Sequence, residues 1–423
     1  MTDRPRLADI AADLSGYDPN ALPVEVAQAL IARFVEPVRA IERVAIRDAL
    51  DRVLALDVIS PIDVPAHDNS AMDGYAVRAS DLAAQGPTRL RVAGAAFAGT
   101  PFAGEAGPGE AVRVMTGAVM PAGLDTVVVQ EVAKVDGEHV LVPPGQERGQ
   151  NRRLRGEDLA RGRPALVAGK VLTPADLGLI ASVGQPEVPV RRRLRVAIFS
   201  TGDELRSIGE PLGPGQIYDS NRYTLHGMLR RLGVELIDMG VVRDSPGALE
   251  EAMSIAAASA DAIVSSGGVS VGEADFTREV MARLGDVAFW TIAMRPGRPM
   301  AFGRIGQAYY FGLPGNPVAV MITFYFFARA ALLRMTGARP ATVPYLRARS
   351  QGELRKKPGR TEYQRGILSR AADGTMQVEI TGSQGSGVLR SMSQANCIVV
   401  LHHDQGSVRA GEGVDCLAFD GLV

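Results

Sequence analysis

Between residues 194 and 337 short apolar runs alternate with longer helical segments, and this rhythm restricts the fold more than any other feature of the chain. LRVAIFS (194–200), VELIDMGVV (234–242), DAIVSS (261–266) and QAYYFGLPG (307–315) read as strands. SNRYTLHGMLRRLG (220–233) reads as a helix with Ser220 or Asn221 as its cap and Gly233 as its stop. SPGALEEAMSIAAAS (245–259) reads as a second, with Ser245 at the N-cap and Pro246 in the first helical position. NPVAVMITFYFFARAALLRMTG (316–337) supplies a long buried helix. Alternation on this scale implies a mostly parallel α/β sheet over residues 193–340. Ligands of such sheets sit at the carboxyl ends of the strands, so the loops there are where chemistry is sought.

The flanks have a different texture. Residues 51–151 are rich in Gly, Pro and Val with short apolar runs such as AVRVM and TVVVQEV, and read as an inserted β domain. Residues 22–50 look helical and are expected to pack with the helical LTPADLGLIASVG segment, so that 22–50 and 152–192 form a small helical, linking domain. Residues 341–423 return to short strands and read as a β-barrel or sandwich of ordinary domain size. The whole is α/β plus β and multidomain, in keeping with 423 residues at roughly 100–200 per domain.

Composition excludes several classes. Lys plus Arg number 46 and Asp plus Glu 47, a balance unlike the basic excess of a nucleic-acid binder. Cys397 and Cys416 form neither a CxxC pair nor a zinc spacing. The N-terminus lacks the apolar core of a signal peptide. The most membrane-like stretch, 318–333, is shorter than the roughly 20 residues a span needs and contains Arg329. A cytoplasmic protein with no membrane or nucleic-acid partner is expected.

SSGGVSVGEADF (265–276) admits two readings. Gly268-x-Ser270-x-Gly272 has the spacing of a hydrolase nucleophile elbow, but no HGG-type oxyanion segment precedes it, and the downstream His402 and His403 fall in the terminal β region. Gly267-x₄-Gly272 has the glycine spacing of a phosphate loop, but Glu273 and Ala274 stand where a Walker loop carries Lys and Ser or Thr. What remains is a run of small residues after a parallel strand, whose backbone N–H groups can converge on an anion. Other loops of this section put carboxylates beside Gly, Ser or Thr: Asp203 and Glu204 in STGDEL, Asp219 with Ser220 and Asn221 in GQIYDSNRY, Asp244 in VRDSP, and Asp275. Acids gathered at one sheet edge repel unless a divalent cation holds them, and Mg2+ prefers carboxylates, water and ligand phosphates. Arg295 and Arg298 are suited to gripping oxyanions. Gly315 and Asn316 open a helix, another anion-binding end. The section reads as a site for a metal, a phosphorylated ligand and an oxyanion.

DNSAMDGYAV (68–77), RGEDL (155–159), STGDEL (200–205), GQIYDSN (215–221), GGVSVGEADF (267–276), RPGRPMAFG (295–303) and GLPGNPV (312–318) occur in that order. Together they resemble the molybdopterin molybdotransferases, the MoeA-type enzymes of molybdenum cofactor synthesis, and the related C-terminal part of gephyrin. The resemblance implies an elongated homodimer of four-domain subunits with a site shared between copies. It implies that adenylylated molybdopterin is hydrolysed with Mg2+, AMP leaves, and molybdate is ligated by the dithiolene. It assigns Asp68, Asp158, Glu204, Asp244 and Asp275 to catalysis, with Glu204, Asp244 and Asp275 as metal ligands. It assigns ligand binding to Thr116, to Ser200, Thr201 and Gly202, and to Asp219, Ser220 and Asn221. Ser266, Gly267, Gly268, Ser270 and Gly272 join that set, as do Arg295, Arg298, Pro314, Gly315, Asn316 and Pro317.

Contacts with a molybdopterin adenylyltransferase and with cofactor-free molybdoenzymes also follow from the resemblance. The sequence departs from the family at His67, where an aromatic is usual, and at Thr291, Arg295 and Arg298, where lysines are common. Arg for Lys keeps the charge and changes the geometry, whereas Thr291 removes a charge. Arg152, Arg153 and Arg155 read equally as anion contacts or as a solvated basic face, and Trp290 as core. A scaffold without chemistry and a molybdopterin adenylyltransferase are the rival classes; the acidic cluster argues against the first and the flanking domains against the second.

Overall fold

The computed structural model describes Leu7, residues 16–18, 20–269, 275–340 and 342–422, and the side chains of 275–277 are not part of that description. Ser270 and Gly272 therefore lie outside the described residues, and Asp275 enters only as the first residue of a helix. The chain forms two compact units, one of Arg43–Leu50 and Leu56–Pro189, the other of Met1–Glu42, Asp51–Ala55 and Val190–Val423.

The first unit is built on a six-stranded sheet of β1 (Gly74–Val77), β2 (Thr88–Ala96), β3 (Glu110–Val114), β4 (Thr126–Val129), β5 (Lys134–Asp136) and β6 (His139–Val142), in the order β4-β1-β3-β2-β6-β5. Side chains of a strand alternate between the sheet faces. Thus Ala76, Val112, Val114 and Val127 enter one apolar cluster, while Tyr75, Val77, Ala111 and Val128 enter another. The DNSAMDGYA segment leads into β1, and its Asn69–Ser70 pairs antiparallel with Arg152–Arg153.

The second unit contains an α/β sheet of β7 (Arg195–Thr201), β8 (Glu235–Val242), β9 (Ala262–Ser266), β10 (Gly285–Thr291), β11 (Pro299–Ile305) and β12 (Ala308–Leu313). The order is β8-β7-β9-β12-β11-β10; the first four strands are parallel, and β11 and β10 run antiparallel at one edge. Strands covered on both faces must be apolar on both. Val196, Ile198 and Val264 face one core together with helices α1 (Val24–Phe34), α2 (Ser220–Arg231) and α5 (Pro317–Met335). Ala197, Phe199 and Ile263 face the other, with α3 (Pro246–Ser259) and α4 (Asp275–Leu284).

Several local expectations are corrected. The cap of α2 is neither Ser220 nor Asn221 but Asp219, whose carboxylate accepts from the Arg222 backbone N–H at 3.1 Å. Ser245 stands at the N-cap of α3 and Pro246 in its first position, yet the Ser245 side chain makes no capping bond. Helical structure in 22–50 is confined to α1 and a short 3-10 turn at Ile46–Asp48. Val35 is already extended, two residues before Pro37, which disfavours helical geometry in the residue ahead of it. Helix α1 packs on α5, and the Phe34 ring meets Phe302 and Tyr309 edge-on at 5.5 and 5.8 Å.

Helix α5 is long and apolar enough to cross a bilayer, but 72% of that span is buried in the fold, as expected of a core helix. A π turn at Phe324–Ala328 interrupts it, and all five residues of the turn are buried. Trp290 is core, tilted against Phe302. Beyond α5, strands Leu346–Ser350, Thr361–Arg370, Met376–Ile380, Cys397–Leu401 and Gly413–Ala418 close into a five-stranded barrel, because the second pairs with both the third and the fourth. Cys397 and Cys416 are free thiols in its core.

Candidate functional site

The parallel strands β7 and β9 and the adjoining β12 end around a cleft of about 330 Å3 in the second unit. Its wall includes Thr201, Gly202, Glu204, Asp219, Ser220, Asn221, Asp244, Ser266, Gly267, Gly268, Gly315, Asn316 and Pro317, so most of the residues singled out in this section share one cavity. Leu205, Ile217 and Tyr218 add an apolar side that motif reading missed. Leu205 and Ile217 belong to a short parallel strand pair, and Ile217 and Tyr218 are exposed. The available signal was a pair of large apolar side chains inside a Gly- and Pro-rich loop.

Backbone conformation makes the glycine loop possible. Gly267 has φ 92° and Gly268 φ 68°, left-handed conformations that side chains other than glycine rarely adopt. A Cβ on Gly267 would lie 2.4 Å from the Thr201 carbonyl oxygen, so β9's exit is pressed directly against the end of β7. The Gly267 N–H donates to the Leu313 carbonyl at 3.1 Å, which ties the same turn to β12.

Two carboxylates line the cleft at the ends of β7 and β8. The Thr201 hydroxyl donates to Asp244 at 3.4 Å, and the Asp244 N–H donates to Asp203 at 3.3 Å, so Asp203 shapes the loop that carries Asp244. Glu204 folds back over Gly202, within 2.6 Å of where a Cβ would stand. Among the described residues no three acidic, His or Cys side chains converge closely enough to hold a metal ion. The third expected ligand, the Asp275 side chain, lies outside that set.

The remaining positions separate into wall and support. Asn316 is the N-cap and Pro317 the first residue of α5, so the positive end of a long helix opens on the cleft. Ser200 is completely buried and off the wall, its hydroxyl without a partner. The Pro314 carbonyl accepts from the Ser266 hydroxyl at 3.2 Å. Arg295 and Arg298 are exposed and are not among the lining residues; Arg295 sits in a short strand paired with Thr361–Glu362 of the barrel. Thr291 ends β10, where its carbonyl accepts from the Leu22 N–H.

Asp68, Thr116 and Asp158 belong to the first unit. Asp68 accepts from the Arg155 N–H at 2.7 Å and from the guanidinium of Arg152, so the basic run is in part a set of partners for this carboxylate. His67, Asp68, Arg152, Arg155 and the 119–124 segment line a cleft of about 370 Å3 within the unit. Thr116 donates through both its N–H and its hydroxyl to Asp73, each at 2.7 Å. Asp158 is exposed.

Hydrogen bonds set the electrostatics here. The Arg155 N–H, and then the Arg152 guanidinium, hold the Asp68 carboxyl below its ordinary value of 3.8. Asp63, bonded by Arg161 and Arg155, and Asp73, bonded by Thr116, are lowered in the same way. A carboxyl whose folded pKa is depressed contributes stability that is full above its unfolded pKa and is lost as pH falls through the folded value. The urea midpoint of the protein is therefore expected to be flat from neutrality to about pH 5 and to fall below about pH 4, with Asp68→Asn removing part of the slope. An acid limb unchanged by Asp68→Asn would exclude Asp68 as a contributor.

Known proteins match this chain along most of its length. The model of the MoeA N-terminal region (domain I and II) matches residues 22–184, that of a probable molybdopterin binding domain 197–334, and that of the MoeA C-terminal region (domain IV) 347–419. The molybdopterin molybdenumtransferase of Haemophilus influenzae is 43% identical over 384 residues, 90% of this chain and 95% of that protein. Its namesake from Nostoc is 40% identical over 372 residues, 86% of this chain and 85% of that one. Among solved structures, the molybdopterin biosynthesis MoeA protein of Pyrococcus horikoshii superposes with a TM-score of 0.82 at 29% identity, covering 94% of this chain and all of that one.

Proposed function

The chain belongs to the molybdopterin molybdenumtransferase family and is a transferase of molybdenum cofactor biosynthesis, and from that premise we propose that the cleft at the ends of β7, β9 and β12 takes adenylylated molybdopterin and molybdate and releases AMP. One observation carries the reading: the two-glycine turn after β9 and the N-terminus of α5 line the same cavity as Glu204 and Asp244. The first pair favours phosphate oxygens. The second supplies hard oxygen donors.

In the reaction, water adds across the phosphoanhydride; its oxygen stays on one phosphorus and the bridging oxygen leaves with the other. The dithiolene then takes up molybdate, two thiol protons and one molybdate oxygen departing as water. The glycine turn orients the anhydride, the α5 terminus favours its negative charge, and the Leu205–Ile217–Tyr218 side offers apolar surface to the uncharged part of the ligand. Glu204 and Asp244 fit Mg2+ by donor type, with Asp275 opening the adjacent helix α4 as a third ligand. When bound, that ion supplies neutralisation of charge on the departing phosphate. Arg295 and Arg298 are assigned to molybdate capture as oxyanion-binding side chains.

We assign a homodimer in which Asp68, Asp158 and Thr116 of one copy serve the cleft of the other. The family likeness over most of the chain supports it, and Asp68 would orient the Arg152 guanidinium, as Asp63 would that of Arg155, toward an anion. Exchange with an adenylyltransferase upstream and a cofactor-free molybdoenzyme downstream belongs to the same proposal. Free, buried Cys397 and Cys416 accord with a reducing, cytoplasmic setting.

The test incubates the purified chain with adenylylated molybdopterin, Mg2+ and molybdate, reading AMP release and activation of a cofactor-free molybdoenzyme. Molybdate-dependent release of AMP with active cofactor formed is expected. Tight binding without AMP release would overturn the catalytic reading in favour of a carrier or scaffold.

A further inference from the structure

We propose that Asn221 is a positioning residue whose carboxamide clamps the glycine turn after β9 to the loop that opens α5, holding the anion-binding wall of the cleft in register. This rests on the assignment of that cleft to anhydride hydrolysis.

Asn221 stands in the first turn of α2, one position beyond Ser220, and is 9% exposed. A side chain serving α2 alone would turn to the free N–H groups at the helix start, but Asp219 already does that. Both bonds of the Asn221 Nδ2 group leave the helix. One goes to Ser266 Oγ at 2.8 Å, at the end of β9, and the other to the Gly315 carbonyl at 2.6 Å, just ahead of α5. A carbonyl can only accept, so Gly315 fixes which end of the carboxamide carries the hydrogens. Ser266 passes the connection on by donating to the Pro314 carbonyl. Three loops distant in sequence are thus joined through one side chain, by bonds spanning 45 and 94 residues.

The joined backbones are close as well. Gly267 Cα lies 4.0 Å from where a Cβ on Gly315 would stand, and the Gly267 N–H is held by Leu313. Ser266, Gly267 and Gly315 all form cleft wall, so a slip between the two loops alters the shape presented to the ligand. Asn221 Oδ1 is buried with no hydrogen-bond partner, an unfavourable state for an acceptor. The orientation that leaves it so is the one that makes both clamp bonds. With both N–H groups committed inside the protein, the effect of Asn221 on the reaction is exerted through the wall and not by contact with reacting atoms.

The experiment compares full-length wild type with Asn221→Ala, Ser266→Ala, the double variant and Asn221→Asp. For Asn221→Ala, kcat for AMP release from adenylylated molybdopterin is expected to fall on the order of 100-fold with KM changed less than about threefold. The double variant should be no slower than Asn221→Ala alone, because the two side chains act as one unit. Amide exchange at Gly267 and Gly315 should quicken on the order of tenfold while Cys397–Leu401 of the barrel stays protected. Asn221→Asp keeps the size and loses the donors; its kcat should recover on acidification, when a protonated carboxyl restores one donor, a limb absent from wild type.

A lowered melting temperature with wild-type kcat, or additive effects of the two substitutions, would overturn the clamp. If wild type itself releases no AMP, the function assignment fails, and the amide exchange of Asn221→Ala alone decides the clamp: faster exchange at Gly267 and Gly315 upholds it, unchanged exchange sinks it.

Discussion

Gly267→Ala is expected to lose turnover by a factor on the order of 100 or more. The new methyl carbon would stand 2.4 Å from the Thr201 carbonyl oxygen, a separation that real side chains do not show. Neither partner can give way cheaply, since Thr201 is the last residue of β7 and pairs within the sheet. The φ of 92° adds strain for an L side chain of about 1–3 kcal/mol. The turn must therefore move, and with it Gly268 and the wall facing Gly315. A matched control is Gly227→Ala, in the middle of α2 with nothing within 4 Å of the added carbon, expected to raise stability by about 1 kcal/mol and leave turnover unchanged. Turnover assays and urea midpoints on both variants decide the matter; wild-type turnover in Gly267→Ala would show that the turn tolerates displacement.

The largest loss of stability is expected for Arg365→Ala, about 3–5 kcal/mol by urea denaturation. Arg365 is 1% exposed, and its guanidinium donates to the Ser391 hydroxyl at 3.0 Å and to the Ser383 and Gly385 carbonyls at 3.3 and 3.0 Å. Burial, with Arg295 nearby, pushes its pKa down to about 10, so it is still a cation at neutral pH, held by neutral oxygens. Truncation takes a donor from the Ser383 carbonyl, leaves the Gly385 carbonyl and the Ser391 hydroxyl with only their bonds to Val388, and opens a cavity. The loop it braces also carries Ser386, whose carbonyl accepts the Val318 N–H in the first turn of α5. The damage should therefore reach the cleft, and turnover should fall with stability. Arg365→Lys should rescue little, because a single ammonium cannot reproduce the planar fork. A stability change below about 1 kcal/mol in the alanine variant would mean that the loop is held by other contacts.

The sequence disclosed the α/β sheet because period and composition are local signals. A strand buried on both faces, such as 262–266, reads as a continuous apolar run; it and the part-buried edge strand 235–242 fall within a residue of the spans read from sequence. The glycine turn and the carboxylate loops were legible for the same reason, since each is a short motif at a strand end. What stayed hidden depends on separation along the chain. The destination of α1 is set by rings of Phe302 and Tyr309 that no local pattern connects to Phe34. The pairing of Asp68 with Arg152 spans 84 residues. Asn221 reads as a ligand or a cap in its motif, and only the fold turns its amide toward Ser266 and Gly315. A terminal β-barrel was legible from its short strands, but not which of its edges meet, because strand length says nothing of pairing.

The placement of α1 has a consequence for how the chain is made. This helix leaves the ribosome well before its partners: its apolar face rests on β10–β12 and α5, which are translated last in the α/β unit. About 250 residues separate them, a delay on the order of 10–50 s at usual rates of synthesis. Throughout that interval Ile31 and Phe34 have no native surface to cover them. The intervening β unit, Leu56–Pro189, is meanwhile complete and can condense alone. The nascent chain thus carries a finished domain and a waiting hydrophobic helix at once, the situation in which a chaperone that shields exposed apolar helices matters most.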